Sequence, residues 1–182
     1  MLNLRNTTLK DIPVLQALEA VAAQRFLTIP DLAILADSEV TDSQVHQQSI
    51  AQELAWLVED IRGGVLGFCY AQQLADSLYL AEISTHPDAR GMGVGRMLVK
   101  HTRQMAAQRG LSGVTLTTYR DVPWNAPWYQ RQGFITLEPS LLGSELSDIV
   151  QRQAAVLLLL PRCIMWSASL RKDNDYCIKN EK

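Results

Sequence analysis

Cysteine is scarce. Cys69, Cys163 and Cys177 lie far apart in a chain of 182 residues. They form no CxxC pair and share no zinc-ligand spacing with the three histidines, which argues against a disulfide framework and a structural zinc site. A sparse, odd set of this kind reads as free thiols in a reducing compartment, with Cys69 and Cys163 as small apolar core residues. Long hydrophobic runs are also missing. The longest is Val156 to Leu160 behind Ala154 and Ala155, far short of the ~20 residues that span a bilayer. No apolar stretch follows basic residues at the N-terminus, so no signal peptide is expected and the protein reads as cytoplasmic, with no membrane partner. Neither sign of charge dominates: a net charge of −2 offers no general attraction for nucleic acid. No internal repeat or low-complexity linker is visible. What remains is ordinary globular composition, 47% apolar and 20% charged, enough for one domain with a real core. That domain is placed at residues 1–170, with 171–182 as a polar tail that reads as disordered.

Hydrophobic periodicity divides the chain into alternating textures. Leu2 to Arg5 suits a first strand. Ile12, Leu15, Leu18, Ala22 and Phe26 recur near helical spacing, with Pro13 in the first turn, and predict a helix from Ile12 to Arg25. Ser38 to Leu54 reads as a second, weaker helix. Three β-rich runs follow, Ala55 to Asp60, Val65 to Gln72 and Leu78 to Thr85, punctuated by Gly63-Gly64 and Asp76-Ser77 as two hairpins in series. Val94 to Arg109 carries one apolar helical stripe and stops at Gly110. Val114 to Tyr119 is a strand, Asn125 to Arg131 a short helix, and Phe134 to Leu137 a strand. Ser144 to about Leu158 is helical until Pro161, and Cys163 to Ala168 is a last strand. Strand runs mixed with crossover helices imply a mixed α/β sheet.

The most informative stretch joins the strand at Leu78 to the helix at Val94. It runs Thr85-His86-Pro87-Asp88-Ala89-Arg90-Gly91-Met92-Gly93-Val94-Gly95-Arg96. A strand, a glycine-rich turn and a helix start form a device for holding phosphate. Glycine permits close backbone approach, and the first helical turn offers free N–H groups and the positive end of the helix dipole. Arg90 and Arg96 add charge at the same end. The Gly-Lys-Ser/Thr of a Walker loop is absent, and Arg96 stands where the dinucleotide pattern GxGxxG needs its last glycine.

The spacing Arg90-x-x-Gly93-x-Gly95 resembles the coenzyme A pyrophosphate loop of the GNAT superfamily of acetyl-CoA-dependent N-acetyltransferases. A second stretch, Asn125-Ala126-Pro127-Trp128-Tyr129-Gln130-Arg131-Gln132-Gly133-Phe134, resembles that family's other signature. The resemblance covers about Asn3 to Leu137. It implies an α/β (α+β) fold with a mixed, largely antiparallel central sheet flanked by helices. It also implies acetyl-CoA as co-substrate, with Arg90, Gly91, Met92, Gly93, Val94, Gly95 and Arg96 on its diphosphate. The backbone of Ile83, Ser84 and Thr85, and the side chain of Asn125, would hold its pantetheine arm. A backbone N–H near Ile83 would stabilise the developing oxyanion. Tyr129 would give a proton to the leaving sulfur. No metal is implied.

Glu82 is the candidate for handling the amine. An amine of pKa ~10 is only about a thousandth neutral at pH 7, a barrier of about 4 kcal/mol that a base or water relay offsets. Strand alternation puts Leu78, Leu80, Glu82 and Ser84 on one face, where a carboxylate among leucines is costly unless paired or functional. Whether Glu82 takes the proton or binds a cationic acceptor stays open, as does an ion pair with an arginine. His86 and Asp121 are weaker site candidates, His101 is structural, and Trp124 packs or lines the substrate. The acceptor reads as a small-molecule or peptide primary amine, with a lean towards a cationic small molecule such as a polyamine or aminoglycoside. A protein N-terminal or lysine acetyltransferase and a non-catalytic acyl-CoA-binding regulator are the alternatives. A homodimer would use Ile149, Val156 and the leucines after it.

Overall fold

The computed structural model describes residues 1–154 and 160–170. Seven strands form one sheet: β1 (Leu2–Asn6), β2 (Ala55–Asp60), β3 (Val65–Gln73), β4 (Ser77–Thr85), β5 (Gly113–Tyr119), β6 (Ile135–Leu137) and β7 (Arg162–Ala168). Their spatial order is β1-β2-β3-β4-β5-β7-β6, and all neighbours are antiparallel except β4 and β5. Five α-helices accompany them among the described residues: α1 (Ile12–Ala23), α2 (Ser43–Ala51), α3 (Val94–Gln108), α4 (Ala126–Arg131) and α5 (Ser144–Ala154). This is the mixed, largely antiparallel sheet flanked by helices that the sequence implies.

Alternation along the strands builds two apolar layers. On one face Trp56, Cys69, Leu78, Leu80, Val114, Leu116 and Met165 pack with Val94, Leu98 and Val99 of α3 and Tyr129 of α4. On the other face Leu57 and Phe68 meet Leu15 and Leu18 of α1, while Tyr79 and Ile164 meet Leu146 and Ile149 of α5. Ile149 is therefore buried inside the protomer rather than offered to a dimer partner, and Val156 lies outside the described residues. The first strand is pinned by Arg5, which donates to both oxygens of Asp11 at 2.9 and 3.0 Å and to Glu59 at 2.9 Å.

Two departures from the sequence reading concern the segment between β1 and β2. The first helix ends at Ala23, and Gln24–Thr28 and Pro30–Asp37 continue as tighter 3-10 turns. The second helix is confined to Ser43–Ala51, capped by Asp42, whose carboxylate accepts from the Gln44 amide at 2.7 Å. The polar tail falls outside the described residues, as does the stretch from 155 to 159 where the expected helix would extend towards Leu158.

Two irregularities in β4 shape the centre of the molecule. First, Tyr70 pairs with Glu82 and Ala71 with Leu80, so Ala81 has no opposite residue and forms a bulge. Second, β4 pairs with β5 only from Ser77↔Gly113 to Tyr79↔Thr115. Beyond Tyr79 the strands part: β4 continues along β3, and β5 continues along β7 to Tyr119. A wedge opens in the middle of the sheet.

Candidate active site

A cleft of about 950 Å³ occupies this wedge. Its walls are the C-terminal half of β4, the end of β5, the glycine loop with the start of α3, α4, and the segment from Glu19 to Val40. Of the site residues expected from sequence, Glu82, Ile83, Ser84, Thr85, Arg90, Gly91, Gly93, Val94, Gly95, Arg96, Asn125 and Tyr129 all line it. Met92 does not. It is exposed, and its amide is spent on the Ala89 carbonyl at 3.1 Å, so the turn closes through Met92 instead of presenting it.

The glycine loop has the geometry of an anion cradle. Gly91 and Gly93 sit at φ +81° and +82°, where a side chain is strained, and a Cβ at either would meet no atom within 4 Å. The amides of Gly91, Gly93, Val94, Gly95 and Arg96 donate to no backbone carbonyl among the described residues, while that of Met97 begins the helical ladder on Gly93. Free amides, the positive end of a 15-residue helix and two exposed arginines fit the diphosphate of a nucleotide. Gly95 has a different job. A Cβ there would lie 3.2 Å from the Trp128 ring, so this glycine admits α4 against α3. Gly67 on β3 plays a similar part unnoticed in the sequence, since a Cβ there would come within 2.6 Å of Val94.

The bulge corrects the expected face of Glu82. With Ala81 extra, Glu82 shares the face of its partner Tyr70, opposite to Leu78 and Leu80, and Ile83 turns to the α3 core instead. Glu82 therefore faces the cleft floor below α1. Burial raises its pKa to about 7, and the nearby charge of Glu19 adds to the rise. The Ser84 hydroxyl, donating at 2.8 Å, and the Ile83 amide pull the other way. Glu19 itself is half-buried and raised by burial, and it accepts from the amide and hydroxyl of Thr41 at 3.0–3.2 Å.

Tyr129 enters from α4. Its ring is held edge-on between Trp128 at 4.9 Å and Phe134 at 5.5 Å. Its hydroxyl has no hydrogen-bond partner among the described residues, and burial pushes its pKa up, so it keeps its proton. Asn125 starts α4: its carbonyl accepts from the amides of Trp128 and Tyr129 at 2.8 and 3.0 Å, leaving the side-chain amide uncommitted beside the cleft. His86 lines the entrance with its Nδ1 accepting from the Asp88 amide at 3.2 Å. Asp121 is exposed, and His101 packs edge-on against Trp56 at 5.1 Å, a structural role as expected. Trp124 both packs near Phe26 and lines the cleft, with the Arg25 guanidinium 4.1 Å above its ring.

Sequence reasoning missed charged residues here, Glu19, Arg25 and Arg162 among them, with Glu39 and Arg131 also on the lining. Glu19 and Arg25, on or after α1, are invisible because polar residues on a surface helix are ordinary. Arg162 carried a signal, a cation directly before an apolar strand.

The family model of the acetyltransferase (GNAT) domain matches residues 51–136, which run from the end of α2 through β6. Over that segment, 86 of the 182 residues, the chain is similar to GNAT acetyltransferases. An amino-acid acetyltransferase of Yersinia enterocolitica is 31% identical over 81 residues, 43% of this chain and 18% of that protein. The N-acetylglutamate synthase of Neisseria gonorrhoeae, solved with coenzyme A and N-acetyl-glutamate, superposes with a TM-score of 0.71 at 17% identity, over 94% of this chain and 36% of that one. The ribosomal-protein-S18-alanine N-acetyltransferase of Escherichia coli superposes with a TM-score of 0.63 at 17% identity, covering 96% and 98%. The chain thus spans about a fifth of the Yersinia relative and about a third of the Neisseria one, while matching the Escherichia protein end to end. No helix among the described residues is long and apolar enough to cross a membrane, and no group of metal-ligating side chains occurs among them.

Proposed function

We propose that residues 1–170 form one acetyl-CoA-dependent N-acetyltransferase domain that acetylates a primary amine, with a small molecule as acceptor. The observation that carries this reading is the wedge itself. It joins uncommitted amides at the start of α3 to a carboxylate near neutrality on one wall and an unpartnered phenol on the other.

Acetyl-CoA supplies a thioester carbonyl for direct attack by the amine. The free amides of Gly91, Gly93, Val94, Gly95 and Arg96, with the Arg90 side chain, hold its diphosphate. The β4 edge exposed past Tyr79 offers main-chain groups of Ile83 to Thr85 to the pantetheine arm, and Asn125 adds its side-chain amide. Glu82, half-ionised near pH 7, takes the ammonium proton before attack, or relays it through water. Tyr129 holds a proton at Oη for the sulfur as the C–S bond breaks. The family of the Yersinia relative and the fold of the Neisseria and Escherichia structures support the reaction class.

Calorimetric titration with acetyl-CoA, paired with thiol release across a panel of amines and peptides, tests this. Binding with amine-dependent thiol release is expected. Binding without transfer to any acceptor would make the chain a regulator, and absence of binding would remove the reading altogether.

A further inference from the structure

The acceptor end of the cleft is bipolar. Glu82 and Glu19 stand on the β4 and α1 side. Across the wedge, beside β5, stands Arg162. Its Nη2 donates to the carbonyl and hydroxyl of Thr117 at 3.3 and 3.1 Å, and its guanidinium lies 4.7 Å from the Tyr119 ring centre. The hydroxyl of Thr117 is tied to Gln153, and Gln153 donates to Tyr79 at 2.9 Å, so the arginine is held in place by a polar network. Yet the charge it carries is unanswered. No carboxylate lies within ion-pair distance among the described residues, Nε is buried without a partner, and the Tyr119 hydroxyl beside it is also buried without one. A half-buried guanidinium lacking a counter-ion costs stability, and a structure retains it where an anion arrives from outside. The other cations of the cleft are Arg90 and Arg96 at the glycine loop, Arg131 on α4, and Arg25, which stacks on Trp124 and feels the charge of Arg90, so the diphosphate end is already supplied. Arg162 is not needed there.

Resting on the acetyltransferase reading, we infer that Arg162 is the anchor for a carboxylate on the acceptor, and that the acceptor is a small zwitterion of the amino-acid type. Its ammonium meets Glu82 in the wedge, and its carboxylate meets the part of the Arg162 guanidinium that lines the cleft, Nε itself being closed off. This reverses the lean towards a polyamine: a polycation has nothing to offer Arg162 and is repelled by it. A protein N-terminus is disfavoured on the same ground, because its first residue carries an amide where a free amino acid carries the carboxylate.

The test uses the full chain. Thiol release is measured with acetyl-CoA and proteinogenic amino acids, each beside its carboxamide, with spermidine and a tripeptide as further arms. At least one amino acid is expected to exceed its carboxamide in kcat/KM by about a hundredfold, as when a desolvated charge loses its partner. In Arg162→Gln the ratio of acid to amide should collapse towards one, through KM for the acid, with KM for acetyl-CoA unmoved. Arg162→Lys should restore part of the ratio and guards against a folding defect in the glutamine variant. A binding arm needs no turnover: with coenzyme A present, the amino acid but not its amide should change tryptophan fluorescence. Preference for spermidine or tripeptide, equal use or equal binding of acid and amide, or an unchanged ratio in Arg162→Gln overturns the inference. Those outcomes leave acetyl-CoA binding intact, whereas failure to bind acetyl-CoA at all would sink the reading beneath it.

Discussion

Glu82 illustrates how one residue's environment sets its chemistry. Its carboxyl is carried from an ordinary acidic value to about 7, because burial and the Glu19 charge both disfavour the anion. A base with that pKa gives a kcat/KM that rises with pH up to about 7 and then levels. Glu82→Gln should lower the plateau and abolish the rise, as read from initial rates between pH 5.5 and 9. The same shift governs stability with the opposite benefit. Between the unfolded value near 4.5 and about 7, the folded chain holds a proton that the unfolded chain has released, so stability falls as pH rises through that window. Glu82→Gln removes the penalty, and its melting temperature should exceed that of the parent more at pH 8 than at pH 5. Equal gains at both would mean the carboxyl titrates normally. Tyr129 makes the complementary case. Its hydroxyl is unpartnered, so Tyr129→Phe should fold normally and bind acetyl-CoA as before while losing about a hundredfold or more in kcat. Both residues were legible in the sequence, Tyr129 through its motif and Glu82 through its cost in a strand. The side of the sheet on which Glu82 lies was not legible. Alternation predicts faces only while pairing is regular, and the extra residue at Ala81 depends on how β3 lies against β4.

At the scale of elements, three alternating glycines look alike in a sequence and do different work in the fold. Gly91 and Gly93 supply left-handed backbone around open space, whereas Gly95 supplies room for Trp128. Substitutions should separate them. Gly93→Val strains the turn and fills the cradle, so coenzyme A affinity by calorimetry should drop tenfold or more, about 1.4 kcal/mol. Gly95→Val drives a side chain into Trp128 and should cost about 1–3 kcal/mol of stability by denaturant titration, displacing α4 and with it Tyr129. Unchanged stability in the second variant would mean that α4 is not held by this contact. The strand and helix pattern was legible nearly to the residue from β2 to α4, because apolar periodicity is strong there and turn residues punctuate it. From Gln24 to Asp42 it was not. Short 3-10 turns have no apolar period of their own, and Pro30 to Asp37 takes its shape by packing Leu32 against Tyr119 and Val122, a contact made across the fold.

Across the whole molecule, the sheet is two halves joined by three residue pairs. Strands β1 to β4 make one ladder and β5 to β7 the other, and past Tyr79 nothing in the main chain bridges them. A ligand seated in the wedge touches both. At a hundred times its dissociation constant it adds about 2.7 kcal/mol to folding stability. For a chain of 182 residues that is a rise in melting temperature of roughly 5–10 °C. The rise alone carries no information about place, because any ligand at the same saturation stabilises equally. Hydrogen exchange does. A diphosphate-bearing adenine nucleotide without the pantetheine arm reaches only the loop and the start of α3, so it should protect the amides of Gly91 to Arg96. Coenzyme A should protect those and also slow exchange at Ile83 to Thr85 on one wall and Leu116 to Tyr119 on the other, if its arm runs as proposed between strands that are otherwise open. Protection confined to the loop with both ligands would mean that the arm never enters the wedge, and Glu82 and Tyr129 would then have no thioester to act on.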